Sequence, residues 1–413
     1  MRTRSNLRAD SPMRPVPLHG CTMTPRNLRH LRLFLAVIRT GTLTQAAMAA
    51  NVSQPAATQA IAKLEGESCG ALFDRTPQGF SPTPRGTIFA GRVARAFALL
   101  DPALESLSPR VRLTATTAQL NALIAVYETE SFTLAARRLR VSQPTVHRAV
   151  VQIEQEAGTQ LFKRTSFGLV PSRATRTMIP AVMLAFRELD QAQADLAEVD
   201  GMDAGQIVIG ALPLSRSVLL PQALVAFRKA RPRHQVQVID GRYDELLTGL
   251  RRGDVDFIIG ALRQPAPIGD IVQDTVFHDR LTILAGLHHP LLAEPEVTMD
   301  DLRACHWVVP RLGTPSRDQF DLFFSNGPDP ASLIEAGSIL LMREILAHSD
   351  ILGFISAAQA KAEIARGLVS EVTFRTEWPT RPIGLTYRRS WQPTKAQADL
   401  LALLRIAPGK TAS

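Results

Sequence analysis

Residues 131–154 read SFTLAARRLRVSQPTVHRAVVQIE, and residues 42–65 read TLTQAAMAANVSQPAATQAIAKLE. These stretches are versions of one another. Extended outward, the segment beginning at Leu31 aligns without a gap on the segment beginning at Leu120, with about 20 identities over roughly 50 positions. VSQP recurs (Val52 to Pro55, Val141 to Pro144), as do TxAA (Thr44 to Ala47, Thr133 to Ala136) and LFxRT (Leu72 to Thr76, Leu161 to Thr165). Chance does not produce this, so the N-terminal half contains a duplicated module.

Both copies carry the same local signals. A first helix is marked by apolar residues at helical spacing: Leu31, Phe34, Leu35 and Ile38, or Leu120, Leu123, Ile124 and Tyr127. Thr42 or Ser131 then suits the N-cap of a second, short helix holding an alanine pair. After a tight turn at Asn51-Val52 or Arg140-Val141, a third helix opens on Ser53 or Ser142, with proline in its first turn. LFDRTPQGFSPT and LFKRTSFGLVPS follow as strand, glycine turn and strand, the form of a β-wing.

Helix, turn, helix and wing is the winged helix-turn-helix arrangement, whose third helix enters the major groove with its N-terminal residues near base edges. The candidate readers are Ser53, Gln54, Pro55, Thr58 and Gln59 in copy one, and Ser142, Gln143, Pro144, Thr145, His147 and Arg148 in copy two. Gln pairs bidentately with adenine and Arg with guanine. Arg75 and Arg164 in the wings suit phosphate contacts, which position without specifying sequence. For any one of these residues the bland alternative is a solvated helix face; for the ensemble it is a protein-binding three-helix module.

The pattern S-F-T-L-A-A-R-R-L-R-V-S-Q-P-T-V-H-R-A-V-x-x-I-E followed by L-F-K-R-T resembles the DNA-binding domain of LysR-type transcriptional regulators. The resemblance spans the whole module. The family usually has Ser where Thr58 and His147 stand. Its closing Thr-x-x-Gly is kept in copy one (Thr83, Gly86) and lost in copy two (Ser172, Thr175). Most members have one such domain; this chain has two. The helix expected from about 174 to 200 resembles the family's linker helix, which implies pairing with a second chain's linker helix and hence a homodimer or homotetramer. Its acids suit a face turned away from phosphates.

From Gly205 the texture changes. QIVIGAL, HQVQVI, VDFIIGAL, HWVVP, ILGFIS and PIGLTYRR read as strands, with helical patterns between and after them. A sheet visited twice implies two α/β subdomains with a crossover and a return. This half resembles the family's effector-binding domain, which is like a type 2 periplasmic binding protein, and is most similar to the branch around the galactose-binding-protein regulator. Ligands in such folds sit beyond the carboxyl ends of strands. The candidate effector-binding residues are therefore Ser215, Arg216 and Ser217 after the first strand, Gly260 and Ala261 after the third, and Gly313 and Thr314 after HWVVP. Each has a plain alternative as a capping serine, a turn glycine or an internally paired arginine.

The resulting division is a basic disordered tail (1–26), a first winged helix-turn-helix (27–84), a helical linker (85–110), a second winged helix-turn-helix (114–173), a linker helix (174–203) and an effector domain (205–408). Composition agrees with this plan. The 413 residues are 45% hydrophobic and 21% charged, a globular balance that suits two to four domains. Net charge is +9, distributed as about +8 over residues 1–110, about 0 over 111–204 and about +1 beyond. Within the middle segment, residues 111–176 carry about +5 and 177–204 about −5. Basic charge in the N-terminal half points to a polyanion there.

Several classes are disfavoured. No apolar run reaches the length of a spanning helix, and no secretory signal follows the basic N-terminus, so a cytoplasmic, nucleoid-associated protein without membrane partners is expected. The scattered Cys21, Cys69 and Cys305 disfavour a disulfide framework or zinc site and read as inert thiols. No phosphate loop, dinucleotide fingerprint, HExxH or nucleophile elbow occurs. His288-His289 reads as an exposed turn. No catalytic residue, metal or cofactor is expected. The reading is a sequence-specific regulator that binds double-stranded DNA, answers to a small-molecule effector such as a sugar or carboxylate, and works with RNA polymerase. The competing readings are a nucleoid-type DNA-binding protein without regulation and an α/β enzyme with a DNA anchor. Copy two, with Arg137, Arg138, Arg140 and Arg148, is the expected principal reader.

Overall fold

The structure, a computed structural model, describes residues 26–406 apart from 78, 167, 218, 326–331 and 377. The basic tail expected at 1–26 falls almost entirely outside them. The chain forms two compact units, Met1–Gln206 and Ile207–Ser413.

The first unit repeats one pattern. Copy one comprises α1 (Leu28–Thr40), α2 (Leu43–Ala49), α3 (Gln54–Glu67), β1 (Phe73–Thr76), β2 (Gly79–Pro82) and α4 (Pro84–Glu105). A short α5 (Pro109–Thr114) leads to copy two: α6 (Thr117–Thr129), α7 (Phe132–Leu139), α8 (Gln143–Ala157), β3 (Phe162–Thr165), β4 (Gly168–Pro171) and α9 (Arg173–Val199). The helix starts follow the expected caps. Thr42 accepts from Gln45 N, Ser131 from Leu134 N, Ser53 from Ala56 N and Ser142 from Thr145 N.

The duplication extends to buried polar detail. Glu65 Oε1 accepts from the Leu72 and Phe73 amides at 2.9 and 3.2 Å; Glu154 Oε1 accepts from those of Leu161 and Phe162 at 2.7 and 3.2 Å. Each glutamate thus ties the third helix to the wing. The wing returns the tie: Phe80 N donates to Gly41 O and Leu169 N to Glu130 O, at 2.8 and 3.2 Å. Gly41 and Glu130 end α1 and α6 at φ 70° and 51°. A single apolar core runs through both copies, from Leu28 to Leu196.

The second unit contains β5 (Gln206–Ala211), α10 (Pro213–Ser217), α11 (Leu219–Ala230), β6 (Gln235–Asp240), α12 (Tyr243–Arg252), β7 (Phe257–Ala261), β8 (Ile271–Asp279) and β9 (Leu281–Ala285). It continues with α13 (Met299–Ala304), β10 (Trp307–Val309), α14 (Pro315–Phe323), β11 (Leu333–Glu335), α15 (Ile339–Ala347) and β12 (Leu352–Ser356). The last elements are α16 (Ala357–Ala365), β13 (Ser370–Glu371), β14 (Arg381–Arg388) and α17 (Lys395–Arg405). Two sheets form, in the orders β6-β5-β7-β14-β8 and β11-β10-β12-β9-β13. β5 and β7 are parallel, as the βαβ texture implied, and β14 returns from the second sheet to run antiparallel between β7 and β8. The crossover and return expected from a sheet visited twice are present. Trp307, Phe320, Phe324 and Phe354 centre the second subdomain's core, with ring centroids 4.8–6.5 Å apart.

Two expectations need correction. Cys69 is disulfide-bonded rather than an inert thiol, whereas Cys305 is free. His289 is not exposed: it is 5% accessible, with Nε2 3.1 Å from Asp350 O and Nδ1 accepting from Leu291 N.

Candidate nucleic-acid interface and effector cleft

The third helix of each module offers its N-terminal end to solvent because its apolar stripe is committed elsewhere. In α8 the buried residues are Val146, Val150 and Ile153; in α3 they are Ala57, Ala60, Ile61 and Leu64. Helical spacing then leaves Gln143, Pro144, Thr145, His147 and Arg148 exposed on α8, and Gln54, Pro55, Thr58 and Gln59 on α3. The expected reader residues are therefore brought together in each copy.

The two candidate readers differ in which side chains are already engaged. The Thr58 hydroxyl donates back to Gln54 O at 3.0 Å. His147 is steadied edge-on against Phe132, with ring centroids 5.1 Å apart. Ser142 Oγ lies 2.7 Å from Thr145 Oγ1, so the hydroxyls at the start of α8 are tied to one another. Arg148 forms no ion pair or hydrogen bond among the described residues. The wings differ likewise. Arg75 lies 3.9 Å from Glu65 and 5.8 Å from the Phe80 ring centroid, whereas Arg164 is exposed with no such partner among the described residues. Arg138 is engaged by Glu128 at 2.8 Å. Copy two thus holds the uncommitted guanidinium groups on both its reader and its wing.

In the second unit, Ser215 is buried and its hydroxyl donates to Leu212 O at 2.7 Å. Arg216 pairs with Asp240 at 2.7 Å on the surface, and Ser217 is exposed. Gly260 has φ +152°, and a Cβ there would fall 2.5 Å from Leu212 Cβ, so glycine is required where the end of β7 meets the start of the first loop. Ala261 beside it is half-buried. Gly313, at φ +73°, faces open space. Thr314 caps α14, accepting from Arg317 N and donating to Arg311 O.

Sequence reasoning missed Arg263, two residues beyond β7. Its guanidinium lies 4.5 Å from the centroid of the Tyr243 ring. Burial pushes its pKa down, against upward pulls from Tyr243, Asp244 and Asp318; Arg381 also pushes it down. Tyr243 is 7% accessible and its buried hydroxyl has no hydrogen-bond partner among the described residues. Burial pushes the Tyr243 pKa up, so the phenol is a neutral donor. Asp318 belongs to α14 of the second subdomain, and Arg381 to the strand that crosses back. A half-buried cation and an orphaned hydroxyl therefore stand side by side, with Asp318 and Arg381 both acting on the charge. The only sequence signal for them was position after a strand end.

Residues 200–407 match the LysR substrate binding domain, and residues 28–87 and 117–176 each match the bacterial regulatory helix-turn-helix protein, lysR family. The HTH-type transcriptional regulator GalR of Pseudomonas putida is 33% identical over 384 residues, covering 92% of this chain and 96% of its own. The chain belongs to the LysR family of transcriptional regulators. It is a LysR-type regulator with an effector-binding domain, and no enzyme. The GalR alignment spans too much of this chain to omit either module. The regulator PcaQ of Agrobacterium fabrum is 26% identical and covers 70% of this chain and 94% of its own length. A full-length OxyR cysteine variant of Pseudomonas aeruginosa has the same fold at TM-score 0.53 and 22% identity, covering 70% of this chain and 98% of its own. Among the described residues of this LysR member, no helix is long and apolar enough to cross a membrane and no group of three or more His, Cys, Asp or Glu side chains could hold a metal ion.

Proposed function

We propose that this LysR-family chain is a sequence-specific regulator in which α8 is the principal reader, α3 a secondary one, and a small anionic effector bound between the C-terminal subdomains sets the response. The observation that carries the DNA assignment is the uncommitted Arg148 on the exposed start of α8, beside Gln143 and His147. A free guanidinium there matches the guanine edge, while the neutral α3 set suits adenine. Arg164 adds a phosphate contact.

For the effector, Arg263 favours a carboxylate over a neutral sugar. Its charge is half-buried, it rests on an aromatic face and, among the described residues, no acid is bound to it and the Tyr243 hydroxyl beside it lacks an acceptor. Gly260, Ala261 and Thr314 lie at the neighbouring strand and helix ends. Regulation then follows from the ligand's differential affinity for two subdomain arrangements.

Footprinting of the full-length protein on duplexes from its own upstream region tests this reading. Defined half-sites, weakened more by Arg148→Ala than by Gln59→Ala, are expected; equal losses would remove the ranking. Uniform coating without half-sites would favour the nucleoid-type alternative. A thermal-shift screen of small carboxylates and sugars, repeated on Arg263→Met, tests the effector class, since a ligand raises apparent stability.

A further inference from the structure

α4 and α9 occupy equivalent places in the two copies, each starting directly after its wing. They lie antiparallel. Arg85, at the start of α4, meets Asp200 just beyond α9 at 2.5 Å. Arg92 meets Asp195, Gln191 and Glu188 at 2.6, 2.8 and 3.0 Å, and Arg95 meets Glu188 at 3.0 Å. The side chain of Arg92 is 3% accessible and that of Glu188 9%. Phe89, Val93, Phe97, Val182, Phe186 and Leu189 fill the same seam as part of the shared core. The acidic segment, expected to face away from phosphates, supplies the counter-charge of copy one's basic helix. The α9 face expected to meet a second chain is covered by α4 of its own chain.

The seam is chemically one-way. With Leu31 set on Leu120, the positions in copy two equivalent to Arg85, Arg92 and Arg95 are Ala174, Ala181 and Leu184. Those in copy one equivalent to Glu188, Gln191 and Asp195 are Leu99, Pro102 and Ser106. An α9–α9 pairing in this register would bury Glu188 and Asp195 with no cation opposite. An α4–α4 pairing would bury Arg92 with no acid. Uncompensated buried charge disfavours both like pairings and leaves the unlike pairing as the stable one.

The connection strengthens this preference. Only Ser106–Thr116 lies between α4 and α6, and α5 within it is pinned by buried Val111. A short tether holds its two ends at millimolar effective concentration. Arg26 adds a further tie: it pairs with Asp190, lies over the Phe186 ring, and its carbonyl accepts from Thr117.

We infer that each chain closes its own pair of DNA readers, so that one polypeptide recognises a bipartite duplex whose two half-sites differ in sequence. This rests on the DNA-reading function proposed above. Equivalent helices packed antiparallel relate the modules by an approximate two-fold axis. The surfaces so related are unlike: Gln54, Thr58 and Gln59 on one, Gln143, His147 and Arg148 on the other. The fitting partner is a non-palindromic operator, adenine-directed on the α3 side and guanine-directed on the α8 side.

Two measurements on the full chain test this. In Arg95→Lys, carbodiimide should join the introduced amine to the Glu188 carboxyl as an amide, with loss of one water. Unlabelled and ¹⁵N-labelled chains are unfolded together, refolded and then cross-linked. The joined peptides should be isotopically uniform; mixed pairs, or no joined peptide, would overturn chain-internal closure. In the second measurement, duplexes are selected from a random pool. Two unlike half-sites are expected, with Arg148→Ala relaxing one by about tenfold and Gln59→Ala relaxing the other by less. A palindrome relaxed symmetrically by Arg148→Ala would overturn the inference while leaving DNA reading intact. Failure to select any sequence would instead sink the DNA-reading function itself.

Discussion

Arg381 and Asp279 form a buried ion pair where the second unit's chain leaves one sheet for the other and where it comes back. Asp279 closes β8 and Arg381 opens β14; Nη2 and Oδ2 are 3.1 Å apart, and the side chains are 9% and 2% accessible. Asp279 also accepts from Ala358 N at 3.2 Å, and Arg381 donates to Ser316 Oγ. Burial pushes the Arg381 pKa down and Asp279 pushes it back up. Removing one partner leaves the other charge buried alone. Asp279→Asn is therefore expected to cost about 3–5 kcal/mol. The double change Asp279→Leu with Arg381→Leu should cost much less. Denaturant melts of the three proteins check this; a double variant worse than the single one would show that the pair itself, and not desolvated charge, governs stability.

A second prediction concerns the lost family glycine. A Cβ on Gly86 would stand 2.0 Å from Leu72 O, a backbone atom that cannot swing aside. At the equivalent place in copy two, Thr175 Oγ1 donates to Leu161 O at 2.7 Å, so the carbonyl that excludes a side chain in one copy binds one in the other. Gly86→Ala should cost about 3 kcal/mol, the upper end for overpacking. Thr175→Ala should cost about 1 kcal/mol for its hydrogen bond. Comparable losses in equilibrium unfolding would contradict this local difference.

The repeat made the first unit legible. Its helices and wings followed from caps, prolines and apolar spacing, each seen twice. What pattern could not give was which surfaces meet. Glu188 and Asp195 read only as acids turned away from phosphates, because nothing local tells a charge in water from one paired with an arginine about a hundred positions earlier. β8 and β9 escaped notice because IVQDTVFHDRLTILA mixes polar and apolar residues without clean alternation. Arg263 escaped because its role depends on a tyrosine and an aspartate brought near by the fold. The expected cleft residues were placed by strand order, and strand order does not say which side chain turns inward.

The wings lead to a third prediction. Arg164 is exposed without a partner among the described residues, whereas Arg75 already has Glu65 and Phe80 nearby. Arg164→Ala should weaken binding to all duplexes alike and lower the slope of log affinity against log salt by about one. Arg75→Ala should lower it less. Titrations at several salt concentrations measure both slopes, and a larger change for Arg75 would reverse the assignment of the free phosphate contact to copy two.

The fourth prediction is a pH effect at the first module. His30 Nδ1 is buried without a hydrogen-bond partner among the described residues. Burial pushes its pKa below the ordinary histidine value of 6.5; Lys63 adds to the fall and Glu67 opposes it. The unfolded chain then takes up this proton at higher pH than the folded chain does. Stability linked to His30 is complete above about pH 6.5 and declines as pH falls toward the depressed folded value, below which it levels off. His30→Gln cannot take up that proton. Its melting temperature should therefore drop less than the parent's between pH 7.5 and pH 5, with the two curves diverging below about pH 6.5. Parallel curves across the range would mean that His30 is protonated as readily in the folded chain as in the unfolded one.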